Sequence, residues 1–162
     1  MLLALAPNDQ AVGRALRWLR RSYTTDDFIL TFTALAFGLE ALAIRVATPK
    51  AGFERASVPT QSERLRHLAV VTCGVPVDAW RYVGGIRHKL FHGGFDESDE
   101  TIEKVAFAAS WAEYVLICGV KTLLGISSDA PPHPEMPGGW ATDGHMTVFG
   151  PAEHMRPGQT KY

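Results

Sequence analysis

The run Arg87-His88-Lys89-Leu90-Phe91-His92-Gly93-Gly94 gathers the side chains best suited to chemistry in this 162-residue chain. An arginine is followed at once by a histidine and, five positions on, by another; a glycine pair then closes a helix-like stretch. Imidazole titrates near neutral pH, so a free histidine can serve as base or acid without a metal. A guanidinium can grip a phosphate through parallel hydrogen bonds and stabilise the charge that builds on a pentacovalent phosphorus. Together these are the requirements for metal-free cleavage of RNA. One histidine per chain is thin for that work, and two copies facing each other across a dimer axis would supply both base and acid.

Placed on a helical wheel at about 100° per residue, Ala79, Val83, Ile86 and Leu90 share a face that must point into a core. Arg87 borders that face beside Trp80 and Phe91, whereas Arg81, Gly84, Gly85, His88 and His92 fall on the opposite side. Each glycine inside a helix costs roughly 1 kcal/mol relative to alanine. The usual compensation is a close neighbour, so the glycine–histidine surface is expected to be occupied by another helix or by a phosphate. His92 lies in the last turn, where the negative end of the helix dipole attracts an imidazolium. Plainer uses exist for the same residues. His92 can cap carbonyls at a helix end, Arg87 can be a structural partner for Glu40, and Lys89 can be a solvated supporting charge. The four-residue spacing of His88 and His92 also suits a metal, but no acid–histidine motif nearby completes a site, so neither metal nor cofactor is expected.

Composition bounds the alternatives. With 46% hydrophobic and 20% charged residues the chain is expected to be globular and about one domain in size. The net charge of −1 hides an asymmetry: residues 1–95 carry 12 Lys+Arg against 7 Asp+Glu, and residues 96–162 carry 4 against 10. Any contact with RNA must therefore be local. Arg17 and Arg21, from the basic row of the first helix, and Arg81 are the candidates for the RNA backbone, with a merely solvated face as the other reading. Cys73 and Cys118 lack the spacing of a redox or metal motif and read as buried, reduced thiols of a cytoplasmic protein. The apolar opening, Met1 to Pro7, has no charged leader, and the apolar run from Phe28 to Val46 is interrupted by Glu40 and Arg45, so no membrane association is expected.

Five helices and no strand can be read before residue 126. The first follows Asn8-Asp9 and runs to about Ser22, with Val12, Leu16 and Leu19 inward. The second starts after Thr25-Asp26 and reaches about Thr48, where Pro49 ends it. A short third helix opens on Thr60-Gln61-Ser62-Glu63, the spacing of a capping box. The fourth runs from Pro76-Val77-Asp78 to the Gly93-Gly94 stop, and the fifth from Ser98 to Gly125, with Ile102, Val105, Ala109, Ala112, Leu116, Val120 and Leu123 on one side. The second helix carries two apolar seams. Phe28, Phe32, Leu35, Leu39, Leu42 and Val46 have the spacing of a bundle core, and Leu30, Phe37 and Ile44 form another stripe seven apart. Such a helix is either central to its own fold or half of a subunit interface. Glu40, between the stripes, needs a cationic partner. Residues 127–162 hold six of the ten prolines, and His133, His145 and His154 lie in this irregular stretch, expected to cover the bundle through Trp140 and Phe149 or to remain mobile. The expected division is a bundle over 1–126 and a tail over 127–162.

The Arg87-x4-His92 element on a penultimate long helix, with polar His88 directly after the arginine, resembles the HEPN superfamily. The preceding Phe32-Thr33-Ala34-Leu35-Ala36-Phe37-Gly38-Leu39-Glu40-Ala41-Leu42 run is similar to that of the Apea-like HEPN branch. The likeness covers roughly residues 20–125. It implies an all-α, up-and-down bundle of four main helices and a short one that dimerises and brings two Arg/His pairs into one cleft. Active relatives are metal-independent endoribonucleases, often toxins or immune effectors, whose pair supports attack of a ribose 2′-hydroxyl on the adjacent phosphate; others only bind RNA or a partner protein. Carried onto this chain, Arg87 and His92 would carry the reaction, with His88 beside them and Glu40 and Lys89 in support. RNA, a second copy and an antitoxin protein are the partners so implied.

Overall fold

In a computed structural model the chain is an all-α helical bundle. The structure describes residues 10–46, 60–93, 99–127 and 133–134, and the expectations for Trp140, Phe149, His145 and His154 lie outside them. Five helices follow in order: α1 (Gln10–Ser22), α2 (Phe28–Val46), α3 (Gln61–Arg66), α4 (Val77–Phe91) and α5 (Asp99–Leu123). Between α3 and α4 the chain loosens into one π-helical segment, His67–Thr72. Helix α2 is central, packed along α1 on one side and α5 on another, while α4 lies chiefly on α5.

Local chemistry sets the ends. The α2 N-terminus is capped by Asp27, whose Oδ1 accepts from the backbone N–H groups of Ile29 at 2.7 Å and Leu30 at 3.1 Å. That is one residue later than the Thr25-Asp26 reading; Thr25 instead accepts from the Asp27 N–H at 3.2 Å and braces the turn. The capping box at α3 is complete, with the Thr60 hydroxyl accepting from the Glu63 N–H and the Glu63 carboxylate accepting from the Thr60 N–H. Helix α4 stops at Phe91, and Gly93 takes a left-handed φ of 78°, which glycine enters without a Cβ penalty.

The core sits where α2 and α5 cross. Phe32, Leu35, Leu39 and Leu42 of α2 meet Val105, Ala109, Ala112 and Leu116 of α5, all buried. Two glycines permit the close approach. A Cβ on Gly38 would stand 3.0 Å from a Leu116 methyl, and one on Gly119 would stand 3.1 Å from methyls of Leu42 and Leu68. Helix α4 docks through Ala79, Val83 and Ile86, and through Tyr82, whose hydroxyl donates to the Lys104 carbonyl at 3.3 Å and whose ring meets Phe107 edge-on. Full burial of aromatic and aliphatic side chains of this size contributes roughly 1.5–3 kcal/mol each. At the α1–α2 turn the exposed Tyr23 hydroxyl donates to the Glu113 carboxylate, tying that turn to α5.

Both cysteines are free thiols. Burial pushes the Cys73 thiol up to about 12, which disfavours its thiolate at neutral pH. Among the described residues two helices are long and apolar enough to cross a membrane by length and composition: α2 over Phe28–Arg45 and α5 over Thr101–Leu123. Of those windows 44% and 67% are buried within the bundle, so α2, the more apolar of the two, is also the less covered.

The difference lies in the second stripe. Leu30, Phe37 and Ile44 are 57%, 38% and 56% exposed, although the seam two positions away is sealed. Among the described residues, α2 is therefore central on one face and only partly covered on the other. Phe28, assigned by spacing to the core seam, is instead 49% exposed. It stands at the first position of the helix, where it lines a surface hollow with Asp26, Asp27, Ile29 and Ile102.

Candidate functional site

Arg87 is on the last full turns of α4, and its guanidinium is turned toward α2. There Nη2 donates to the Glu40 Oε1 in an ion pair whose two side chains are 28% and 29% exposed. Glu40 sits between two apolar seams and has its cation. The Arg87 guanidinium also lies over the Phe91 ring, 5.5 Å from its centroid, a cation–π contact within one helical turn. Nη2 donates to Glu40, and Nε is buried without a hydrogen-bond partner.

His88 and His92 are exposed and stacked on each other, ring centroids 4.5 Å apart and tilted by 42°. The pairing follows from helix geometry, since residues four apart are neighbours on one face. His92 is the residue that closes α4; its backbone N–H donates to the His88 carbonyl at 3.0 Å. Five residues turn a helix by roughly 140° from start to finish, so Arg87 and His92 leave the rod on different sides. One chain presents a guanidinium braced on α2 and, around the same helix end, a pair of imidazoles in solvent. Among the described residues no group of three His, Cys, Asp or Glu gathers as metal ligands.

The other candidate residues are spread more widely. Arg81 is exposed near the start of α4 and pairs with Asp78 at 3.3 Å, an i, i+3 contact of the solvent-screened kind. Lys89 and Arg17 are exposed on α4 and α1. Arg21 is also exposed but belongs to a longer chain of contacts: its guanidinium lies 5.1 Å from the Trp18 ring centroid. Trp18 in turn is 5.0 Å from Phe37, and Phe37 is 5.8 Å from Phe91. Three aromatic rings from α1, α2 and α4 thus link Arg21 at one end to Arg87 at the other. Trp18 escaped the sequence reading. Its signal was an aromatic placed inside a row of arginines, which a solvated face has no need of.

The glycine surface has a clear structural status. A Cβ added at Gly84 would meet nothing within 4 Å, so among the described residues no other helix explains the glycine. Gly84→Ala is accordingly expected to stabilise α4 by up to about 1 kcal/mol, a rise of roughly 2–4 °C in melting temperature. If a phosphate of RNA approaches this backbone, RNA affinity should fall at least several-fold in the same variant. A melting curve and a filter-binding titration read both effects, and higher stability with unchanged affinity would leave the surface unoccupied.

Compared with known families, curated proteins and solved structures, the chain matches no family model, no curated protein and no solved structure.

Proposed function

We propose that this protein is a metal-independent endoribonuclease of HEPN type that works as a cytoplasmic homodimer. The observation that carries the reading is the end of α4. There one helix end carries an exposed imidazole pair and, on another side, an arginine oriented by Glu40, with Phe91 against Phe37 of the partly exposed Leu30–Phe37–Ile44 stripe of α2. An imidazole takes the proton of a ribose 2′-hydroxyl, and the freed O2′ attacks the adjacent phosphorus. The new O2′–P bond forms as the P–O5′ bond breaks. A second imidazole, from the other copy, returns a proton to the departing O5′. The products are a 2′,3′-cyclic phosphate and a 5′-hydroxyl. Through its remaining donors Arg87 stabilises the negative charge on the pentacovalent phosphorus. Arg17, Arg21 and Arg81 hold the flanking backbone, and Lys89 adds positive charge beside the imidazoles. A role as a toxin or defence effector, with an antitoxin as partner, rests on the family resemblance alone.

One observation favours a second reading, a non-catalytic module that binds RNA or a partner protein. Arg87 already has a carboxylate and a ring for company, which is a sufficient structural use. Incubation of the purified protein with mixed RNA in excess chelator separates the two. Cleavage leaving cyclic-phosphate ends, with 2′-deoxy substrates untouched, supports the nuclease; intact RNA retained by the protein supports the module.

A further inference from the structure

We infer that α2 is the dimer interface, packed antiparallel against α2 of a second copy with Phe37 on the two-fold axis. The inference rests on the dimeric reading of the site but not on cleavage. Leu30, Phe37 and Ile44 are spaced seven apart, so they stay on one face of the helix, and all three are exposed. The stripe is also symmetric about its middle residue. A half-turn through Phe37 brings it onto its own copy and lays Leu30 against Ile44 of the other chain, which is the self-complementarity a two-fold interface requires. Small residues separate the large ones: Ala34 is buried and Ala41 half-buried beneath the stripe, so neither holds the partner helix away.

Charge selects the direction. Asp26 and Asp27 stand exposed at the start of α2 and Arg45 is exposed at its end. Parallel packing would set acid against acid and arginine against arginine. Antiparallel packing sets the acidic start of each helix near the Arg45 end of the other and opposes the helix dipoles. The need for cover is measurable too. The Phe28–Arg45 window has a mean hydropathy of 1.7 but is only 44% buried, against 1.2 and 67% for the α5 window.

This geometry acts on the site. Phe37 touches Phe91, and Phe91 carries the Arg87 guanidinium. Glu40, which orients that guanidinium, is less than one helical turn from Phe37. An axis through Phe37 therefore sets both copies of the α4 terminus beside one another. The guanidinium and imidazoles that diverge within one chain gain counterparts from the other.

Cross-linking of full chains that each carry one introduced cysteine beside the native Cys73 and Cys118 tests the register. Phe37→Cys should form an intermolecular disulfide on mild oxidation, with the native thiols of the unmodified chain as control. Leu30→Cys alone and Ile44→Cys alone should not, because each lies about 20 Å along the helix from its own copy and a disulfide needs Cα atoms within roughly 7 Å. Mixing those two variants should restore the cross-link, and both retain Phe37 should its replacement weaken the dimer. Self-linking of Leu30→Cys would overturn the antiparallel register. Sedimentation as a monomer at micromolar concentration, or a monomer that instead floats with phosphatidylcholine vesicles, would overturn the interface. Cross-linking without RNA cleavage would retire the nuclease and leave the interface standing, whereas cleavage by a monomer would retire the interface and the two-copy mechanism but not the ribonuclease activity.

Discussion

Arg87→Ala and His92→Ala are each expected to lower RNA cleavage by about a hundred- to ten-thousand-fold while leaving the bundle folded. The magnitude follows from what each group supplies. Losing one acid or base typically costs about 10²–10⁴ in rate, and losing one preorganised donor to a developing oxyanion costs about 10²–10³. Neither side chain is in the packed core: His92 is exposed at the end of α4 and Arg87 is only half-buried. Stability should therefore respond unequally. His92→Ala should change the unfolding free energy by less than about 0.5 kcal/mol, as surface substitutions do. Arg87→Ala strands Glu40 among apolar neighbours and should cost about 1–3 kcal/mol, between the values for exposed and buried pairs. Arg87→Lys discriminates further, because a lysine can keep the charge near Glu40 but not the planar fork. It should recover most of the stability and little of the rate. Initial cleavage rates and urea melts on the same preparations check both halves, and equal nicking by all variants would trace the activity to a contaminant.

The second large effect separates the two faces of α2. Phe32→Ala removes a fully buried ring where α2 meets α5 and should cost about 3–5 kcal/mol, a substantial part of the roughly 5–15 kcal/mol that holds a domain of this kind together. Leu42→Ala, equally buried, should cost about 2–5 kcal/mol. Leu30→Ala and Ile44→Ala delete comparable groups from the same helix, yet in dilute solution they should move the melting midpoint little, because these side chains are more than half exposed. Their effect belongs to association. Each substitution occurs twice in a two-fold dimer, so about 1 kcal/mol per site becomes roughly a thirtyfold weaker dimer. Urea melts read the first pair and sedimentation over a concentration series reads the second. A stripe variant that unfolds the dilute monomer would mean that the stripe is covered from within.

Much of the fold was legible because helices in a small bundle declare themselves one at a time. Apolar spacing located all five helices, and the capping box at Thr60 and Glu63 and the glycine stop at Gly93 marked ends that the structure keeps. Glu40 announced a cation by sitting where a lone carboxylate is costly, and Arg87 supplies it. What stayed hidden depends on relations between elements. Periodicity near 3.6 cannot reveal the π-helical segment His67–Thr72, which turns Leu68 and Ala69 together into the core. Nor can it show that Phe28 falls beyond the neighbours that cover Phe32. The ring path from Trp18 through Phe37 to Phe91 crosses three helices, so it follows from how they pack rather than from any one of them. The divergence of Arg87 and His92 was present in the five-residue spacing itself, and it is why the proposed reaction calls on a second copy.

Mixing the two inactive variants measures that necessity most directly. Arg87→Ala and His92→Ala proteins would be unfolded together, refolded and assayed on RNA beside each variant treated alone. The mixed dimer holds one intact Arg87 and one intact His92 in the shared cleft and keeps both His88 imidazoles, which stand beside position 92, for the second proton transfer, so the mixture should recover part of native cleavage while the separate variants stay inert. Mixed dimers that form in full and cleave nothing would contradict a cleft in which the arginine of one chain serves the histidine of the other.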